Sequence, residues 1–293
     1  MRRILLVFVV ALAACGSGSR DSSRSPSATT PPAPATTIAG GSGGAPIPDA
    51  ARQQMEEALR TWAEFPVDAS PRPLVLTAGA VSDPAHGFHT DNDKLAYISG
   101  AFAAPATLPS GPQGAAGYPV VTAAQALAVL RAQGNPDSRS PSPPAPLVIT
   151  DVRFGSASFD TDRGARVLPA WLFLFEGVDN PAAVLAVAPS ARFPASAGEL
   201  MPSIGAQLAP EGRRATITFV GGAAGNGPCT ADYTVDQLAS DAAVAVRVRE
   251  TANRGGTCAS IGYDRRVTIV LGAPLGERVL VDAATKAAVA VTP

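Results

Sequence analysis

Proline and glycine recur so often in this chain that neither a helix nor a strand can run far without interruption. The 293 residues include 28 prolines and 28 glycines, whereas aromatic residues make up only 5%. Proline lacks the amide proton that regular elements use, and glycine enters turns at little steric cost. We therefore expect many short elements. Since 46% of the residues are hydrophobic, the chain still has enough apolar material for a packed core.

The charge of the chain argues against a nucleic-acid partner. There are 23 basic and 24 acidic side chains, which gives a formal net charge of −1 at pH 7. Proteins that bind phosphate backbones present a clustered excess of Lys and Arg. The sequence therefore predicts that the protein does not bind nucleic acid.

The N-terminus has the pattern of an export signal. Arg2 and Arg3 precede an apolar run over residues 4–14, shorter than the ~20 residues that a membrane-spanning helix needs. The run ends in Leu-Ala-Ala-Cys, which resembles the lipobox of bacterial lipoproteins. This resemblance implies that residues 1–14 are removed, that Cys15 carries a diacylglycerol, and that the protein is anchored to the extracytoplasmic face of a cell membrane. The alternative is an ordinary cleaved signal peptide with an incidental cysteine.

Residues 15–48 are predicted to form a disordered tether. Ser, Gly, Pro and Thr dominate this stretch, and it has no apolar periodicity. Residues 40–44 formally fit the G-x-S-x-G pattern of serine hydrolases. That chemistry requires a strand before Ser42 and a helix after it. Neither is predicted, so we interpret these residues as linker sequence.

Two helices are predicted within a first domain over residues 49–190. Residues 49–65 carry apolar side chains at helical spacing, including Met55 and Trp62. Thr122 and Gln125 have the spacing of a capping box, which predicts that a helix begins at this point and continues to residue 133.

An antiparallel meander is predicted to complete the first domain. Two apolar segments, 147–160 and 165–176, flank a turn signal, and a third follows at 182–188. The second segment is apolar on both faces, which indicates a strand that is covered on both sides. A helix followed by a meander faintly resembles cystatin-like and PepSY-type modules. This resemblance concerns the helix-plus-sheet architecture and implies no function.

A second domain over residues 205–293 is predicted to be rich in antiparallel strands. Its apolar residues alternate with polar ones, as in 243–250, which is typical of strands with one buried face. Short strands with turns between them favour an antiparallel sheet or a small sandwich. The six candidate strands are 214–220, 232–237, 243–250, 265–271, 278–282 and 287–291.

Cys229 and Cys258 are the two cysteines that remain after the predicted lipidation of Cys15. In an oxidising compartment outside the cytoplasm, we expect them to form a disulfide that closes the second domain. Two free thiols or a catalytic pair is the competing interpretation. Redox catalysts usually hold their cysteines as C-x-x-C, a spacing that these residues do not have.

The two histidines of the chain, His86 and His89, lie close to Asp91 and Asp93 in the sequence. Imidazole and carboxylate groups both suit zinc, and His89, Asp91 and Asp93 would project to one side of a strand. The segment fits neither H-E-x-x-H nor the EF-hand pattern. These residues are therefore weak metal-site candidates, and a polar surface loop is the alternative.

Taken together, the sequence predicts an α+β protein on a disordered, lipid-anchored tether. We expect a non-enzymatic binding or interaction module of the cell envelope that needs no cofactor, because the known catalytic motifs are missing. Its partners would be the membrane, through Cys15, and an unknown envelope ligand or protein. The alternative is a metal-dependent or hydrolytic enzyme centred on His86 and His89.

Overall fold

The computed structural model has many elements connected by turns, but several strands are longer than the proline and glycine content predicts, such as Leu147–Thr161 with 15 residues. The predicted signal peptide, Cys15 and most of the predicted tether lie outside the described residues. The structure describes residues 37–39 (backbone only), 46–84, 86–134, 144–193, 202–225, 227–253, 258 and 261–293.

Strands outnumber helices in the described part of the chain, which confirms the α+β class. The helices are α1 (Asp49–Thr61), α2 (Asp91–Ser99) and α3 (Ala123–Ala132). The strands are β1 (Thr37–Ala39), β2 (Val81–Ser82), β3 (Phe102–Ala103), β4 (Gly114–Ala115), β5 (Tyr118–Pro119), β6 (Leu147–Thr161), β7 (Gly164–Phe175), β8 (Ala182–Leu185), β9 (Ile204–Leu208), β10 (Arg214–Gly221), β11 (Thr230–Ala239), β12 (Ala243–Asn253), β13 (Tyr263–Val270), β14 (Val279–Asp282) and β15 (Val291–Thr292).

The predicted meander is present as β6, β7 and β8, which pair antiparallel in sequence order. They are the centre of a five-stranded sheet with the order β2-β8-β7-β6-β3. Trp171 and Phe173 of β7 pack with α3 on one face, whereas Leu168 and Ala170 join a separate apolar cluster. The strand is thus covered on both sides, as its sequence predicted.

The C-terminal strands form two sheets that enclose an apolar core. One has the order β1-β13-β10-β9-β15 and the other β11-β12-β14. Side chains from both sheets, among them Ile217, Val246 and Val267, form the cluster between them. The longer pairings, β10 with β13, β10 with β9 and β11 with β12, are antiparallel, whereas β14 pairs parallel to β12, β15 parallel to β9 and β1 parallel to β13.

Helix α1 packs against the C-terminal strands, although the sequence analysis grouped it with the meander. Met55 and Trp62 contact Ala245 and Val281 on the outer face of the three-stranded sheet. An amphipathic stripe specifies that one face of a helix is buried but does not specify its partner. By its internal contacts, Ala35–Pro293 is a single compact unit.

Strand β1 lies within the stretch that the sequence analysis assigned to the disordered tether. Thr37, Ile38 and Ala39 pair with Arg266, Val267 and Thr268 of β13. An exposed sheet edge presents unpaired amide and carbonyl groups, so almost any extended segment near it can add a strand. Composition alone therefore did not reveal this pairing.

A disulfide joins Cys229 and Cys258, as predicted. The two residues are 29 positions apart in the sequence. On the chain-entropy model, closing a loop of this length stabilises the folded protein by about 3–4 kcal/mol. The bond holds the segment before β11 to the segment before β13.

The turn between β6 and β7 carries a buried ion pair that joins the two parts of the unit. Asp162 has only 2% of its surface exposed. Arg72 donates two hydrogen bonds to its carboxylate, at 3.2 and 2.5 Å, and also reaches Glu277 at 3.2 Å. The carbonyl of Asp162 accepts from the amide of Val291 at 3.0 Å. One turn thus contacts both the segment before the meander and the C-terminal strands.

We predict that Asp162→Asn destabilises the protein by about 2–4 kcal/mol, because it leaves the partly buried guanidinium of Arg72 with less compensation. Glu211→Gln is the matched control. Glu211 pairs with Arg214 at 3.4 Å on the exposed surface, and such pairs contribute about 0–1 kcal/mol. Urea unfolding of the purified variants measures both effects. Equal losses of stability in the two variants would contradict the central role of Asp162.

Candidate functional site

The segment that contains both histidines leads directly into α2, where Asp91 and Asp93 occupy the first turn. Thr90 precedes the helix, and its hydroxyl accepts a hydrogen bond from the Asp93 amide at 3.1 Å. The Asp93 carboxylate accepts in return from the Thr90 amide at 3.0 Å. This is a capping box. The expectation that His89, Asp91 and Asp93 lie on one side of a strand is therefore wrong.

His89 is paired with an aspartate from a different loop. Its Nε2 lies 2.8 Å from Oδ1 of Asp179. Backbone hydrogen bonds hold the two loops together, from the His89 amide to Gly177 and from the Asp179 amide to Gly87, both at 2.9 Å. Gly87 has φ 100°, and a Cβ at this position would lie 2.8 Å from Cβ of Asp179. Only glycine suits this close approach.

The pairing with Asp179 raises the pKa of His89 above its ordinary value. The hydrogen bond to Asp179 is the largest cause, followed by the negative charge of Asp179, and the charge of Asp93 adds to both. Both partners are exposed to water. The arrangement favours the imidazolium form, which is a poor state for a metal ligand because both ring nitrogens then carry protons.

The structure does not bring the four metal-site candidates together. Among the described residues, no three His, Cys, Asp or Glu side chains are arranged to hold a metal ion. Asp93 caps α2, and His89 pairs with Asp179. His86 and Asp91 have exposed side chains.

A small cavity lies between the C-terminal parts of α2 and α3. Its volume is about 180 Å³. Asp83, Tyr97, Ile98, Leu130 and Gln133 line it. The cavity thus combines apolar walls with a carboxylate and an amide.

Tyr97 supplies a partly buried polar group of this cavity. Its hydroxyl donates a 2.6 Å hydrogen bond to Oδ1 of Asp83. Burial raises the pKa of Tyr97 strongly and the bond to Asp83 raises it further, so the phenol keeps its proton. The ring packs against Phe88, Phe102 and Phe175, with centroids 5.5–5.8 Å away. These contacts fix the position at which the hydroxyl meets Asp83.

Exposed apolar side chains occur on both helices that line the cavity. Ile98 lines it and is still partly exposed, and Leu95 lies one turn earlier on α2. On α3, Val129 is exposed one turn before Gln133. Exposed apolar side chains next to a cavity are compatible with the binding of a ligand or another protein.

No sequence pattern predicts this cavity. Its element, α2, begins with aspartates that the sequence presents as potential metal ligands. The sequence does contain a signal for the start of this helix, because Thr90 is followed three residues later by Asp93. Like Glu or Gln, Asp at this position can complete a capping box. Asp83 and Tyr97 had no sequence signal, because 14 residues separate them.

Comparisons with known proteins add no relative from which a function could be transferred. No family model, no curated protein and no solved structure gives a significant match to this chain. In the part of the chain that the structure describes, no helix is both long and apolar enough to cross a membrane. The functional interpretation therefore rests on the residues of this chain alone.

We predict that Asp179→Asn lowers the pKa of His89 toward the unperturbed value of about 6.5, because the variant removes the main group that favours the imidazolium. Asp91→Asn is the control and should leave this pKa unchanged. NMR titration of the imidazole ring protons measures both. An unaltered titration in Asp179→Asn would show that the pair does not form in solution.

The raised pKa also determines how this pair contributes to stability. Because folding raises the pKa of His89, its contribution is fully present below the unfolded-state pKa of about 6.5. The contribution is lost as the pH rises through the higher pKa of the folded protein. Urea unfolding at a series of pH values measures this contribution, as the difference between the wild type and Asp179→Asn. A difference in unfolding free energy that grew as the pH rose through this range would contradict the raised pKa.

Proposed function

We propose that this protein is a lipoprotein of a bacterial cell envelope that acts as a non-enzymatic binding module. In this proposal Cys15 carries the lipid, and the chain from residue 35 onward is presented on the extracytoplasmic face. The order of Arg2 and Arg3, the apolar residues 4–14 and the ending Leu-Ala-Ala-Cys supports the anchor. Two acyl chains provide stable attachment, since each buried methylene contributes about 0.8 kcal/mol.

The disulfide gives independent support for export. Disulfides persist in oxidising compartments and are rare in the cytosol, where thiols are kept reduced. The bond between Cys229 and Cys258 closes a loop in the C-terminal part of the chain. A protein that folds with this bond is suited to the space outside the cytoplasmic membrane.

The cavity between α2 and α3 is the observation that carries the binding proposal. The Tyr97 hydroxyl donates to Asp83, and the Asp83 carboxylate and the Gln133 amide lie on the cavity wall. Leu130 and Ile98 supply apolar contact. A ligand or peptide segment with one apolar group and one hydrogen-bond donor matches these features.

A metal-dependent or hydrolytic enzyme centred on His86 and His89 is less well supported. Such an enzyme would need His89 as a neutral ligand or base. The contact with Asp179 instead favours the protonated ring. In the described residues the histidines do not take part in any cluster of three potential metal ligands.

We predict that Cys15→Ala transfers most of the protein from the membrane fraction to the soluble fraction, because the acylation site is lost. Ser17→Ala should leave the protein in the membrane fraction. Fractionation with immunodetection measures the distribution, and mass spectrometry of the mature N-terminus identifies the modification. An unacylated wild-type N-terminus, or equal membrane retention of both variants, would overturn the proposed anchor.

We also predict that a photoreactive benzoylphenylalanine in place of Ile98 cross-links a discrete envelope component in living cells. Ile98 lines the cavity and reaches solvent, so a bound partner would lie next to it. The same substitution at Val167, an exposed valine of β7, is the control. Identical products from both positions, or none from position 98, would contradict binding at this cavity.

A further inference from the structure

Asp83 gives the cavity between α2 and α3 a negative charge. Of the described residues that line this cavity, Asp83 is the only charged one. The two helices also carry basic residues, but these do not line the cavity. Arg131 of α3 donates to the carbonyl of Phe102 at 3.1 Å, and Lys94 lies on the exposed surface of α2. The cavity is therefore complementary to a positively charged group.

The Tyr97 hydroxyl binds the Asp83 carboxylate without adding a charge. It donates a 2.6 Å hydrogen bond to Oδ1 of Asp83, and the phenol keeps its proton because burial raises the pKa of Tyr97. A carboxylate has lone pairs for about four hydrogen bonds, so one donor does not saturate it. Asp83 is exposed to solvent. A charged donor that reaches it would form the stronger, charge-assisted kind of hydrogen bond.

The size of the cavity restricts the ligand to a small group. Its volume is about 180 Å³, whereas pockets for drug-sized ligands measure about 300–1,000 Å³. Leu130 is buried and Ile98 is 42% exposed, so the apolar wall extends from the interior to the surface. A short alkyl chain would lose its contact with water along such a wall.

We infer that the cavity binds an alkylammonium group, supplied by a free aliphatic amine or by the side chain of a lysine. This inference rests on the proposed function, because it names the chemistry of the ligand at the same cavity. The ammonium would donate to the Asp83 carboxylate and to the Gln133 carbonyl oxygen, and its alkyl chain would contact Ile98 and Leu130.

An ammonium suits this site better than the guanidinium of an arginine. A guanidinium binds a carboxylate most strongly through two parallel hydrogen bonds, one to each oxygen. Tyr97 already donates to Oδ1 of Asp83, so one of those two bonds would compete with the Tyr97 hydroxyl. An ammonium is a compact charge that needs only one free position on the carboxylate.

Methyl NMR of Ile98 tests this inference in the full-length protein, purified in a non-ionic detergent. The probes are butylammonium, its uncharged analogue butan-1-ol, butylguanidinium, and a lysine blocked at both backbone ends. Ile98 lines the cavity, so its methyl resonance reports occupancy, whereas the exposed Ile261 does not line it and reports non-specific effects.

We expect butylammonium to shift the Ile98 resonance saturably, with a Kd about tenfold or more below that of butan-1-ol, because hydrogen bonds that involve charged groups are stronger. Its Kd should also be lower than that of butylguanidinium. Binding of the blocked lysine as well would support a protein side chain as the source of the ammonium, and binding of butylammonium alone would support a free amine.

Two variants separate the charge of Asp83 from the shape of the cavity. Asp83→Asn keeps an oxygen that can accept from Tyr97, and it should weaken butylammonium binding about tenfold or more. The Ile98 resonance of the free variant should stay near its wild-type position, which shows that the cavity is intact. Asp91→Asn makes the same change of charge at an exposed position in the first turn of α2 and should leave the affinity unchanged.

Equal affinities for butylammonium and butan-1-ol, or equal butylammonium affinities of the wild type and Asp83→Asn, would overturn the ammonium assignment and leave the cavity as a binding site. Tighter binding of butylguanidinium would overturn the preference for an ammonium. No shift at Ile98 with any probe would also overturn this inference. Cross-linking from position 98 would then test the proposed function separately, because a discrete product would sustain it and no product would overturn both.

Discussion

The buried carboxylate of Asp162 is the constraint on which the arrangement of this protein depends. A carboxylate with 2% exposure is costly unless it is paired and hydrogen-bonded. Arg72 supplies that pairing, and the Arg72 guanidinium also lies 4.7 Å above the ring of Phe65. The ion pair places the turn between β6 and β7 next to the segment that follows α1. The carbonyl of Asp162, which accepts from the amide of Val291, links the same turn to the C-terminal strands.

Short-range patterns in the sequence predicted individual elements well. Thr122 and Gln125 form the expected capping box at the start of α3. The continuous apolar segment of β7 predicted a strand covered on both faces, and Trp171 and Phe173 pack with α3 on one of them. Each of these signals lies within a few residues of the sequence, although the partner that covers the strand does not.

Long-range relations could not be predicted in the same way. The stripe with Met55 and Trp62 indicated a buried face, but its partner lies about 200 residues later in the sequence, where Trp62 donates to the carbonyl of Lys286. The candidate site has the same property. Asp83 and Tyr97 are 14 residues apart and come together only in the folded chain. The metal site expected near the histidines has a different cause, because an aspartate that caps a helix and one that binds a metal look identical in a sequence.

The cavity and the C-terminal core belong to different sheets. Helices α2 and α3 cover the sheet that contains β6 and β7, whereas β10 and β13 belong to a sheet of the C-terminal core. The Asp162 turn contacts both parts, through Arg72 on one side and the amide of Val291 on the other. The same turn therefore helps to hold the cavity in a defined position relative to the C-terminal strands.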